Sequence, residues 1–192
     1  MRTIYYSTYA SPIGLLLLGV SDRGLAYLEF ARRGNTAKKR PGWVESEEKT
    51  APYREQLDGY FRGELKEFDI PLDLEGTEFQ KRCWNALLRI PYGKTRSYAE
   101  IARAVGSPRG FRAVGMANHD NPVAIVVPCH RVITSDGKLG GYGGGLDVKE
   151  KLLKLEGAWN GQAELFGSTH RHRSPKTKSS AREAAHQSRL SS

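Results

Sequence analysis

Residues 124–133 read Ala-Ile-Val-Val-Pro-Cys-His-Arg-Val-Ile. A continuous apolar run of this length is the pattern of a fully buried strand, and Pro128 has to end its pairing, because proline has no N–H to give a sheet. Cys129 and His130 therefore stand beside the end of a core element. A core strand does not need a thiol and an imidazole at its end, whereas a site built around a sulfur does. Adjacent residues of a regular strand point to opposite faces, so contact between these two needs the bend that Pro128 supplies, or a bridging water.

The chain around this run divides in two. Residues 3–9 alternate as a strand does, "ASPIG" makes a turn, and "LLLLGV", "SDRG" and "LAYLEF" form a hairpin. "ARRGNTAKKRPGW" is a polar loop. Tyr53, Leu57, Tyr60 and Phe61 recur at helical spacing until Gly63 stops them, and "KEFDIPLDLEG" is extended. Residues 1–75 are thus expected to form a small N-terminal α/β domain.

A mostly helical unit is expected over 76–160. Thr77 caps a helix whose apolar face is Phe79, Cys83, Trp84, Leu87 and Leu88, with Cys83 as a small core residue. Ser97 caps a second helix, Gly106 breaks it, and "PRGFRAVGMAN" resumes one that carries Arg109 and Arg112 near its start. Helix, glycine turn and helix is the helix-turn-helix pattern, and a plain helical hairpin reads the same way. The segment Thr134–Leu146 holds Gly137, Gly140, Gly141, Gly143, Gly144 and Gly145 around Tyr142, which suits close approach to a ligand. "DVKEKLLKLEG" is a closing helix capped by Gly157. From residue 161 the apolar pattern fades into a basic, disordered tail that ends at 192.

The net charge is +9. Arg171, Arg173, Lys176, Lys178, Arg182 and Arg189 face Glu183 alone after Ser168, so more than half of that charge lies in the tail. The balance favours a polyanionic partner, nucleic acid before membrane. No run approaches the ~20 apolar residues of a membrane span, and Ile13–Val20 reads as a strand rather than a leader. The two cysteines, Cys83 and Cys129, are expected to be reduced thiols in a cytoplasm. Neither belongs to a C-x-x-C pair, so no metal and no cofactor are expected.

Taken together, "NPVAIVVPCHRVI", "RAVGMAN", "SYAEIA", "GGYGGG" and "KEKLLKLEG" resemble the O6-alkylguanine-DNA alkyltransferase family, whose signature is Pro-Cys-His-Arg-Val. The likeness is specific over residues 77–157 and looser over 1–75. It implies an α+β chain: a ribonuclease-H-like N-terminal domain and a winged-helix-like C-terminal domain with a helix-turn-helix.

It further implies that Cys129 accepts the alkyl group, that His130 (through a water) and Glu156 hold the sulfur as a thiolate, and that Asn121 is the hinge between recognition helix and active-site strand. Arg112 resembles the arginine that replaces the extruded base. Tyr98 resembles the residue that crowds the 3′ phosphate and protonates the leaving guanine. Ala113, Gly115 and Ser135 correspond to further DNA contacts, and Val132, Tyr142, Gly143, Gly144 and Asn118 to the base pocket. Gly143 departs from relatives with a hydroxyl residue there, which puts one pocket hydrogen bond in doubt.

The implied partner is double-stranded DNA with O6-alkylguanine, or O4-alkylthymine, bound by a monomer that acts once. Two other readings remain open on the residues. A non-enzymatic binder of alkylated DNA that recruits other repair factors carries tryptophan in place of Cys129. A cysteine hydrolase needs an oxyanion hole that the sequence does not display.

Overall fold

The computed structural model describes residues 2–31 and 40–160. The tail, and most of the polar loop after Ala31, lie outside the described residues. Three strands, β1 (Tyr5–Ser11), β2 (Gly14–Ser21) and β3 (Gly24–Phe30), form the expected antiparallel meander, with Tyr9 opposite Leu16 and Leu18 opposite Leu28. A short β4 (Val44–Glu45) joins β1 in parallel, giving the order β3-β2-β1-β4. Helix α1 (Glu47–Phe61) lies against β1 and β2 and buries Leu57 and Tyr60 completely, as the helical spacing predicts.

Helices supply most of the regular structure in the rest. Helix α2 (Glu78–Leu88) starts in a capping box between Thr77 and Gln80. After β5 (Arg96–Ser97), helix α3 (Tyr98–Ala104) starts in another, between Ser97 and Glu100. Each box satisfies amide groups that a helix end leaves unpaired. A turn through Gly106 leads to α4 (Phe111–His119), which packs on both earlier helices. The Trp84 indole N–H donates to Ala117 O at 2.8 Å and fixes α4 against α2. Cys83, on α2, is buried in the core as a free thiol. A single 3-10 turn, Cys129–Arg131, leads into β6 (Val132–Ile133), which pairs with β5, and α5 (Leu146–Leu155) closes the described chain before Gly157.

The outer edge of β3 organises the molecule. Leu25 exchanges backbone hydrogen bonds with Pro71 and Asp73, and Leu28 exchanges them with Pro122 and Ala124. Two short segments, one from each half of the chain, thus cover an edge that would otherwise be open to pairing. The second of them corrects the strand expected over Ala124–Val127: pairing lasts one residue, Val123 opposite Leu28. The chain then folds into a buried turn with Ile125 at φ 72°, the one non-glycine residue with positive φ among the described residues.

Asn121 explains the difference. Its Oδ1 accepts from Val123 N–H at 3.1 Å and its Nδ2 donates to Val127 O at 2.8 Å, so one side chain satisfies backbone groups that a sheet would otherwise pair. With Val123, Ile125 and Val127 fully buried, a turn serves the core as well as a strand does.

Gly24, at φ 138°, carries the other close approach: a Cβ there would sit 2.2 Å from Pro71 O. Gly24→Ala should lower stability by about 3 kcal/mol, through backbone strain and the lost Leu25–Pro71 pairing, read as a reduced urea midpoint at unchanged slope.

Candidate active site

Pro128 ends the buried turn, and the 3-10 turn after it aims three consecutive side chains at different tasks. Cys129 faces a cleft of about 790 Å³ that is also lined by Tyr98, Phe111, Gly115, Asn118 and Tyr142. His130 and Arg131 turn into the interior, toward Glu156, the residue that closes α5. The chain thus bends after Pro128, and the bend sends the Cys129 and His130 side chains toward different surroundings.

Glu156 is a buried anion with donors on every side. His130 Nε2–H donates to Oε1 at 2.8 Å, and Arg131 donates from Nε and Nη2 to the two oxygens at 2.9 Å. The Tyr60 hydroxyl donates to Oε1 at 2.8 Å and Gly93 N–H to Oε2 at 3.3 Å. Burial pushes the carboxyl up, but the bonds from His130 and Arg131 outweigh it and hold it at about 2. Burial keeps His130 below the usual histidine range despite the Glu156 carboxylate, so the ring is neutral at pH 7. With Nε2 committed as the donor, Nδ1 carries the lone pair, and among the described residues it has no protein partner.

Burial pushes the Cys129 thiol up. Asn121 Nδ2 at 3.1 Å from Sγ, the charge of Lys149, and the backbone N–H groups of Cys129 and His130 pull it back only in part. The resting sulfur is thus a thiol poised to ionise, not the standing thiolate implied by the resemblance. Burial, with a smaller push from Cys129, also raises Tyr98, so its phenol keeps its proton; the hydroxyl lies 3.4 Å from Gly141 O.

The remaining expected residues separate. Asn118 and Gly143 line the main cleft and also a second one of about 520 Å³, which reaches Cys129 from the β3 side. Tyr142 borders both, packed edge-on to Phe30 (5.8 Å) and His130 (6.5 Å). Ser135 lines the main cleft and Gly144 the second. Arg112 and Ala113 are exposed on α4. Val132, expected in the pocket wall, is instead fully buried and absent from both linings, because its side chain packs into the hydrophobic core while its backbone pairs with exposed Arg96 of β5.

Four contributors were not singled out as site residues from sequence. Tyr60 comes from the far half of the chain. Arg131 sits inside the motif but shows its function only through its partner. Phe111 forms part of the cleft wall. Lys149 is fully buried, and its ammonium donates to Val132 O at 2.5 Å, to Leu139 O and to Gly141 O, tying the glycine segment to β6. Burial lowers it to about 8, against a smaller upward pull from Cys129. Its signal was legible: Lys149 lies three, four and seven residues before Leu152, Leu153 and Glu156, on the buried stripe of α5.

These features define a two-part α+β protein whose buried cysteine opens on a cleft beside a histidine–carboxylate pair. Comparison with known proteins narrows the class. Residues 4–74 match the family model of the 6-O-methylguanine DNA methyltransferase ribonuclease-like domain, and residues 78–158 that of the same family's DNA binding domain. The methylated-DNA–protein-cysteine methyltransferase of Methanosarcina acetivorans is 54% identical over 155 residues, covering 81% of this chain and 99% of the relative. That of Mycolicibacterium paratuberculosis is 57% identical, covering 80% and 92%. A crystal structure of Mycobacterium tuberculosis OGT in complex with DNA superposes with a TM-score of 0.75 at 50% identity, covering 80% of this chain and 93% of that one. The chain belongs to the 6-O-methylguanine DNA methyltransferase family.

Glu156→Gln should destabilise the protein by about 3 kcal/mol at pH 7, since it leaves Arg131 buried without its counter-charge. The sign of the pH dependence follows from the depressed carboxyl. It ionises at about 2 in the fold and near ~4.3 in an unfolded chain, so its stabilisation is complete above about pH 5 and is lost as pH falls toward 2. Urea unfolding should show the gap between wild type and variant narrowing over that window.

Proposed function

We propose that this chain repairs DNA by moving the alkyl group of O6-alkylguanine onto Sγ of Cys129, once per molecule. One observation carries the reading: the cysteine opens on a cleft of about 790 Å³, ample for a base, beside a neutral imidazole whose other nitrogen is held by a buried carboxylate. In this mechanism His130 Nδ1 takes the thiol proton, through a water, and Glu156 stabilises the imidazolium that results. Asn121 and Lys149 stabilise the thiolate. Sulfur attacks the alkyl carbon, the carbon–O6 bond breaks, and guanine leaves after gaining a proton from the Tyr98 phenol. The thioether is stable, which makes the reaction stoichiometric.

An alkyl group on O6 is out of reach inside a stacked duplex, so the nucleotide has to be extruded, at a cost of a few kcal/mol that is smaller for a poorly paired base. Helices α3 and α4 serve as the helix-turn-helix, with α4 in the minor groove. Gly115 and Ala113 allow close approach, and exposed Arg112 fills the gap left by the base. DNA binding is driven by phosphate contacts and weakens with salt. The domains divide near residue 75, with a basic tail after 160. The protein works as a monomer, and two free thiols suit a reducing cytoplasm. Among the described residues no helix is long and apolar enough to cross a membrane. O4-alkylthymine is a second candidate substrate. Cys129 itself weighs against the non-enzymatic binder.

Incubation with O6-benzylguanine should add one benzyl group to the wild-type mass, and Cys129→Ala should show none while still binding DNA. Full transfer by that variant overturns the assignment. Arg112→Ala should slow repair of a duplex ~10-fold or more and leave the reaction with free O6-benzylguanine within about twofold, because only the duplex has a gap to fill. Equal loss on both substrates removes the flipping role.

A further inference from the structure

The cleft in front of Cys129 contains hydrogen-bonding groups that the fold itself does not use. Both amide atoms of Asn118, Nδ2 and Oδ1, are buried, and so is the Tyr142 hydroxyl. None of the three has a partner among the described residues. Leaving a buried amide unpaired is expensive, and native structures retain one where something outside the protein completes it. Asn118 is well placed for that. It borders both clefts that meet at Cys129. Its backbone carbonyl accepts from Asn121 N–H at 3.4 Å, and the Asn121 side chain lies 3.1 Å from the sulfur.

Two other hydroxyls on this side of the molecule have partners of their own in the resting structure. The Thr134 hydroxyl is committed to Asp136 Oδ1 at 2.5 Å, and the Tyr98 hydroxyl lies on Gly141 O. Gly141 and Gly143 border the cleft with no side chain to offer.

Resting on the function proposed above, we propose that Asn118 is a catalytic residue whose Nδ2–H donates to O6 of the flipped guanine and stabilises the charge that develops there. As the Sγ–carbon bond forms, the electron pair of the breaking carbon–O6 bond moves onto O6 and the purine ring. The proton taken from the thiol by His130 is matched by the one guanine receives, so no further reactant is needed. A fixed amide donor in a buried site suits this step: it needs no reorganisation as charge accumulates, and little water competes with it. Asn118 thereby supplies, from α4, the hydrogen bond that a hydroxyl side chain at position 143 would supply from the glycine segment.

That equivalence provides the test. A Cβ added at Gly143 meets nothing within 4 Å, so serine fits there, at a position that borders the cleft. Transfer rates are measured by intact mass with O6-benzylguanine and with an O6-methylguanine duplex, for wild type, Asn118→Leu, and Asn118→Leu combined with Gly143→Ser. Asn118→Leu should be ~100-fold slower on both substrates, the size of effect seen when one donor to a developing oxyanion is removed, and Gly143→Ser should recover about tenfold or more of that loss. DNA affinity in a Cys129→Ala background should stay within about twofold, and the melting midpoint should not fall, because leucine removes an unpaired amide rather than a bond. A transfer rate near that of wild type overturns the role, and so does a slow variant that melts early and gains nothing from serine. If wild type forms no adduct on Cys129, the function itself fails and this role fails with it.

Discussion

A single buried carboxylate holds the two halves of this protein and its reactive centre in one arrangement. Glu156 receives hydrogen bonds from Tyr60 on α1, Gly93 in the loop after α2, and His130 and Arg131 in the 3-10 turn, while itself closing α5. A carboxylate without these donors would not stay charged in such a place, and a guanidinium without the carboxylate would not stay buried. The anion also sets the histidine: Nε2–H must point to Glu156, which leaves the Nδ1 lone pair without a protein partner among the described residues. In the proposed reaction, structural knot and catalytic geometry are the same set of bonds.

The sulfur shows a balance of opposing effects. Burial favours the thiol, whereas Asn121, Lys149 and the local amides favour the thiolate. A permanently ionised cysteine would invite oxidation and unselective alkylation, because the thiolate is the nucleophilic form. In the proposed reaction the anion forms as its proton is accepted, inside a cleft lined by Tyr142 and Tyr98. Asn121 links this balance to the fold, since one amide group supports both the turn that carries Cys129 and Cys129 itself. The turn in turn leans on the edge of β3, which couples the N-terminal sheet to the site without adding a reactive group to it.

Much of this could be read from local pattern. The β1–β2–β3 meander, the capped starts of α2, α3 and the break at Gly106 follow from alternation, helical spacing and capping residues that act within a few positions. The Cys-His-Arg string and Glu156 were visible as a motif and a helix end. The apolar run before Pro128 was misread as a strand, because uninterrupted hydrophobicity looks the same for a buried strand and a buried turn. What separates them is the pair of bonds made by Asn121 to Val123 and Val127, which no periodicity reveals. Val132 was assigned to the pocket for a related reason: its place in the motif does not say which side of the chain faces the core.

The β1–β2–β3 meander, the main helices and the capped starts of α2 and α3 were determined by the sequence alone, because they depend on interactions between residues close along the chain. The partners of buried charge were decided only by the tertiary structure. Tyr60 stands 96 residues from Glu156, and Lys149 finds carbonyls on two separate segments. Which hydrogen-bonding atoms are paired, and which, like those of Asn118, remain available to a ligand, emerges only when distant segments exclude water together, since burial is a property of the packed whole.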